Sequence, residues 1–257
     1  VVGQASEAGR RVGWLYTISF ARGYSVLLQL HPDTLDIWNA HELPARHVDV
    51  WDAIWHTPGR PFVGLDRIFK DTSGGAYFFV DRLGRVVVPA LDDTIKVLTP
   101  SSEKGRGFDE GVPIMPLDDP AYADDNLVAV LPDWGEADDP FYWFATQRGM
   151  VGLVDGVSGT VVDRYFLWTQ EQARDRRDPP ERIQNSFAVG RNGAFITSNF
   201  GLYRFERNGR RIERRWESSY CRLDDCSAGC PDNDPFPDCK EPKRKPGQID
   251  LGSGTTP

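Results

Sequence analysis

The sequence predicts an all-β chain built from a repeated antiparallel hairpin. Three observations point there. The 257 residues hold 8 Trp, 14 Phe and 8 Tyr against 2 Met, and rings pack well on a pleated surface. Nineteen Pro and twenty-five Gly supply many turns. A glycine-centred phrase then returns four times along the chain.

The first copy is Ser19-Phe-Ala-Arg-Gly23-Tyr-Ser-Val-Leu-Leu and the second is Val80-Asp-Arg-Leu-Gly84-Arg-Val-Val-Val. The third is Ala145-Thr-Gln-Arg-Gly149-Met-Val-Gly-Leu-Val and the fourth Ser198-Asn-Phe-Gly201-Leu-Tyr-Arg-Phe. In each, a short apolar strand meets a polar pair, turns at the glycine and resumes as a strand. The glycines are 61, 65 and 52 residues apart. Further turns follow at His31-Pro-Asp-Thr, Asp155-Gly-Val-Ser-Gly and Arg207-Asn208-Gly209. Asn-Gly and Asp-Gly favour the positive φ of tight hairpins, so consecutive strands are expected to pair antiparallel.

Upstream of the glycines, Gly75-Ala-Tyr-Phe-Phe-Val-Asp81 aligns with Gly193-Ala-Phe-Ile-Thr-Ser-Asn199, and Arg67-Ile68 with Arg182-Ile183. Helical periodicity is confined to 168–176, where Pro179-Pro180 would end it. Several strands per repeat, repeated along the chain, are the mark of a β-propeller. About four blades plus part of another are expected, with sheets centred on 14–43, 66–98, 126–167 and 183–216 and loops at 43–66, 99–125 and 217–246. A Greek-key sandwich is the competing fold, but sandwich strands do not ordinarily repeat one phrase four times. Residues 247–257 read as entry to another strand, so 1–257 is expected to be one propeller domain, part of a longer one.

His31-Pro-Asp-Thr-Leu-Asp36, Val154-Asp-Gly-Val-Ser-Gly-Thr160 and Asn199-Phe-Gly-Leu-Tyr-Arg-Phe205 resemble the hairpins of bacterial PQQ-like, YVTN-like and strictosidine-synthase or gluconolactonase-like propellers. The resemblance is generic to the architecture and selects no single family. It implies that a small-molecule ligand meets the central channel or the loops of one face. In calcium-dependent lactonase-like propellers, Asn and Asp at inner-strand ends hold the metal. Asp66 and Asn185 resemble that usage, which makes Ca2+ the implied cofactor. The vicinal cysteines of quinoprotein dehydrogenases have no counterpart here.

All four cysteines, Cys221, Cys226, Cys230 and Cys239, lie in one loop. Their spacings suit zinc poorly, because a structural site usually wants close pairs at both ends. Two disulfides are the expected account, with three pairings open. They imply an oxidising compartment, so the protein is expected to be extracellular or periplasmic. The acids of the same loop lack the calcium-loop spacing and read as solubilising charge.

The net charge of −8 argues against a general nucleic-acid binder. The basic run 204–215 is interrupted by acids and reads as solvated surface. No apolar run is long enough to span a bilayer as a helix. His41 and His47 are separated by Pro44 and do not form a zinc-protease helix. His47, Asp49, Trp51, Trp55 and His56 cluster in a long loop, where His56 is the candidate general acid or base. Two function classes follow: an exported propeller binding a small molecule, as a metal-dependent hydrolase of lactones or esters, or a non-catalytic propeller binding a ligand or a protein.

Overall fold

A computed structural model describes residues 2–7, 10–21, 24–44, 77–119, 122, 125–135, 140–167, 181–183, 185–198 and 201–219. The chain divides into two compact units, Val1–Pro116 and Leu117–Pro257. Among the described residues the named elements are all strands, in four four-stranded sheets, and every pairing between strands is antiparallel.

In the first unit, β1 (Val2–Glu7), β2 (Arg10–Ala21), β3 (Tyr24–Leu30) and β4 (Ile37–Leu43) form the first sheet. The second sheet is β5 (Phe79–Val80), β6 (Val86–Pro89), β7 (Ile95–Pro100) and β8 (Phe108–Glu110). In the second unit, β9 (Leu127–Pro132), β10 (Phe141–Thr146), β11 (Met150–Asp155) and β12 (Thr160–Phe166) form the third sheet. The fourth is β13 (Ala188–Gly190), β14 (Gly193–Thr197), β15 (Gly201–Asn208) and β16 (Arg211–Ser219). In each sheet the spatial order is the chain order. These are meanders, so the crossed-over order of a Greek key is absent from all four.

The apolar runs explain the burial. Phe141-Tyr-Trp-Phe-Ala-Thr146 is buried at every position, and so are Val86-Val-Val-Pro89 and Ile95 to Leu98. A strand with no polar alternation needs cover on both faces. In β15 alternate residues are buried, Gly201, Tyr203 and Phe205, while Leu202, Arg204 and Glu206 are half-buried. β3 alternates in the same way, which is the pattern of a sheet with one well-covered face.

Inside the first unit, Trp14, Tyr16, Leu27 and Leu43 of the first sheet pack with Val86, Val88 and Leu98 of the second. Asn39 holds the β7–β8 connection by its side chain. Its amide donates to Gln29 Oε1 at 2.8 Å and Ser101 O at 2.8 Å, and its carbonyl accepts from Gly107 N–H at 3.0 Å. Inside the second unit, β9 contacts β13 and β12 contacts β16. Leading strand therefore meets leading strand, and trailing strand meets trailing strand.

Three of the four glycine pivots fall among the described residues, with one shift of phase, and Gly23 lies outside them. Gly149 has φ +83° between β10 and β11, and Gly84 has φ +78° between β5 and β6. Gly201 opens β15. Gly149 and Gly201 thus follow the second strand of their sheets, while Gly84 follows the first described strand of its own. Residues 66–76, the 168–176 segment and the loop 217–246 apart from 217–219 lie outside the described residues.

Candidate binding cleft

At one end of the third and fourth sheets, three connections converge on a cleft of about 420 Å3 lined by Pro140, Phe141, Asp155, Val157, Arg207, Gly209 and Arg210. Local turn chemistry shapes it. After β11, the Asp155 carboxylate accepts from Val157 N–H at 3.0 Å and Ser158 N–H at 3.1 Å, while Gly159 closes the turn at φ +69°. This is an Asx-type turn, in which the side chain replaces a backbone acceptor. Gly156 donates to Pro140 O at 2.6 Å, and a Cβ there would come within 2.3 Å of that oxygen. Only glycine fits. After β15, Gly209 and Arg210 form a two-residue turn, with Asn208 paired to Arg211 and Gly209 at φ +61°. Positive φ at the first turn residue suits a tight hairpin.

The floor is a fixed ion pair. Arg207 Nε donates to Asp133 Oδ2 at 2.5 Å, and Nη1 donates to Gly209 O at 3.0 Å. Trp143 Nε1 donates to Asp133 Oδ1 at 3.1 Å. The Arg207 guanidinium lies 4.3 Å from the centroid of the Phe141 ring, a cation–π arrangement. The Asp133 side chain is 5 % exposed and that of Arg207 14 %, so this pair is nearly closed off from water. On the wall, Arg210 Nη1 donates to Asp155 Oδ2 at 2.9 Å. Burial pushes the Asp155 carboxyl up, but the Ser158 and Val157 amides and Arg210 outweigh it, and the net shift is downward. Both acids at the cleft therefore face guanidinium partners.

Two buried carboxylates sit near the β10–β11 and β14–β15 turns, each in a repeated latch. Asp125 accepts the Thr146 hydroxyl at 2.6 Å and the Arg148 and Asn126 amides at 2.8 Å each, and Thr146 Oγ1 accepts from Met150 N–H at 3.1 Å. Glu181 accepts the Ser198 hydroxyl and, at 2.5 Å, the Tyr203 hydroxyl, while Ser198 Oγ accepts from Gly201 N–H at 3.0 Å. Burial pushes the Asp125 carboxyl up to about 6 against its hydrogen bonds, and raises Glu181. In the first unit, Glu110 bridges Lys96 and His41, the latter at 3.5 Å. Burial lowers the His41 pKa and outweighs the pull of Glu110.

His56, Asp66, Cys221, Cys226, Cys230 and Cys239 lie outside the described residues. Asn185 is half-buried at the bend before β13. Among the described residues, no group of three or more His, Cys, Asp or Glu side chains comes together as a metal site. The run 204–215 is only partly the solvated surface expected of it. Arg214 and Arg215 pair with Glu217, Glu206 and Glu213 at the surface, but Arg207 is drawn inward by Asp133, 74 positions away in sequence. The sequence marks Asp155 and Gly209 as turn residues; nothing local marks Asp133 and Arg207 as partners. No protein-family model matches the sequence, and no curated protein matches it.

Proposed function

We propose that the four meanders are blades of a β-propeller, and that the protein binds a small molecule in the cleft at the turn end of the third and fourth sheets. The meander order of every sheet supports the architecture, as do the two-sided burial of β6, β7 and β10 and the matching of leading and trailing strands in the second unit. The observation that carries the binding reading is the cleft itself. Its size lies within the range of small-molecule sites, and its floor is preorganised by the Asp133–Arg207 pair and the Phe141 ring.

The chemistry supports binding over turnover. Asp133 and Asp155 at the cleft are each engaged by an arginine, so neither of the two is poised to exchange a proton with a substrate. The raised carboxyls, Asp125 and Glu181, are buried and held by hydroxyl groups. Hydrolysis of lactones or esters through a cation at Asp66 and Asn185, with His56 as acid or base, is the competing proposal. A metal analysis of the purified protein addresses it directly. Export to an extracellular or periplasmic compartment belongs to the same proposal and rests on the four clustered cysteines.

The test is a thermal-shift screen with small sugars, carboxylic acids and amino acids. A ligand of the folded state raises the melting temperature with concentration. The reading predicts at least one such compound whose effect is lost in Arg210→Ala. A screen without any shift, or a shift that Arg210→Ala leaves unchanged, contradicts it.

A further inference from the structure

Resting on that reading of the cleft, we infer that its ligand is a neutral, hydroxyl-rich molecule of the size of a mono- or disaccharide. The charges decide this. Among the described residues, the lining and floor carry two guanidinium groups, Arg207 and Arg210, and two carboxylates, Asp133 and Asp155, joined as two ion pairs. An anionic ligand would meet positive charge that is already neutralised, and a cationic one would meet neutralised carboxylates.

A hydroxyl escapes both penalties, because it donates and accepts at once. Arg210 uses Nη1 on Asp155, and its side chain is 59 % exposed. An arginine carries further N–H donors beyond that one. Asp155 gives Oδ1 to the turn amides and Oδ2 to Arg210, and each carboxylate oxygen has a further lone pair. Adjacent hydroxyls can accept from Arg210 and donate to Asp155 Oδ2 with the ion pair intact. A zwitterion such as a free amino acid would have to split that pair to use it. Val157, 79 % exposed, supplies apolar surface on the same wall for the C–H face of a ring. Arg207, paired with Asp133 and lying 4.3 Å from the Phe141 ring centroid, is held in place at the floor.

Isothermal titration calorimetry of the full chain tests this with glucose, maltose and myo-inositol against glucuronate, glucose 6-phosphate and glycine. The inference predicts binding of at least one neutral polyol, little changed by added salt. Arg210→Ala and Asp155→Asn should each weaken that binding about tenfold, the equivalent of one lost hydrogen bond. Asp155→Asn keeps an oxygen for the turn amides, and an unchanged near-ultraviolet circular dichroism spectrum confirms its fold. Binding confined to glucuronate, glucose 6-phosphate or glycine overturns the inference and leaves the cleft as the ligand site. Heat from none of the six overturns the inference, and an empty thermal-shift screen beside it overturns the cleft as well.

Discussion

Asp133 shows how one side chain can set a site from beneath. It accepts from Trp143 and Arg207, so one carboxylate ties an aromatic of β10 to a cation of β15. Removing one partner of a nearly buried pair leaves the other charge without compensation. Asp133→Ala should therefore lower stability by about 3 kcal/mol, read from urea unfolding. Arg210→Ala, at an exposed pair, should stay within about 0.5 kcal/mol of wild type. Equal losses at both positions would contradict the difference in burial. Asp125 gives a pH signature of its own. Its folded-state carboxyl titrates near 6 against an ordinary value of 3.8, so between those values the folded chain holds a proton that the unfolded chain has lost. Stability contributed by this group is full below 3.8 and fades as pH rises to 6, by about 3 kcal/mol in all. Asp125→Asn should remove that fall. Unfolding curves of wild type and variant at pH 4 and pH 7 measure it, and parallel changes in the two proteins would contradict the assignment.

At the scale of the element, the hairpins were legible and their fastenings were not. Gly84 and Gly149 take the positive φ their pivots require; the turn at 155–159 falls where Asp-Gly places it, while the other lies one residue later than Asn-Gly reads, at Gly209-Arg210 with Asn208 still in β15. The hydroxyls of the latches also stand in the repeated phrase, as Thr146 and Ser198 three positions before the glycine. Their acids lie 21 and 17 positions upstream. A partner whose distance varies with loop length leaves no fixed spacing to read. The phase of the second sheet was hidden for a related reason: one hairpin phrase serves any two adjacent strands of a meander. Gly193 shows the other side of legibility. Its alignment with Gly75 marks it as a repeat position, and the structure supplies the cause: φ is +103°, and a Cβ would lie 1.8 Å from Phe205 O. Gly193→Ala should cost about 3 to 5 kcal/mol by strain and overlap together. At Gly190 the nearest atom to a Cβ is 4.0 Å away, so Gly190→Ala should change stability by less than about 1 kcal/mol. Thermal unfolding of the two variants gives the comparison, and a mild Gly193→Ala would contradict it.

For the whole molecule, composition and repeat led to an all-β chain of about four antiparallel sheets and part of another; the described residues form four such sheets, and 247–257, read as the entry to the next, lie outside them. Chain order in every sheet separates these meanders from the Greek-key alternative, and edge charge suits their outer strands. Along β16, Arg211, Arg214, Arg215 and Glu217 are exposed, a row that discourages edge-to-edge pairing. The site was less legible than the fold, because the cleft is lined by residues of three strands and the connections beside them, and the sequence marks only the turns near 155–159 and 207–209. The most direct measurement of the proposed architecture is a crystal structure of the protein. The account predicts that β9 and β13, with the leading strands of the other two sheets, line one common axis and that the fourth strands lie outermost. Four sheets resolved instead into two independent two-sheet sandwiches, with no axis shared by their leading strands, would contradict it.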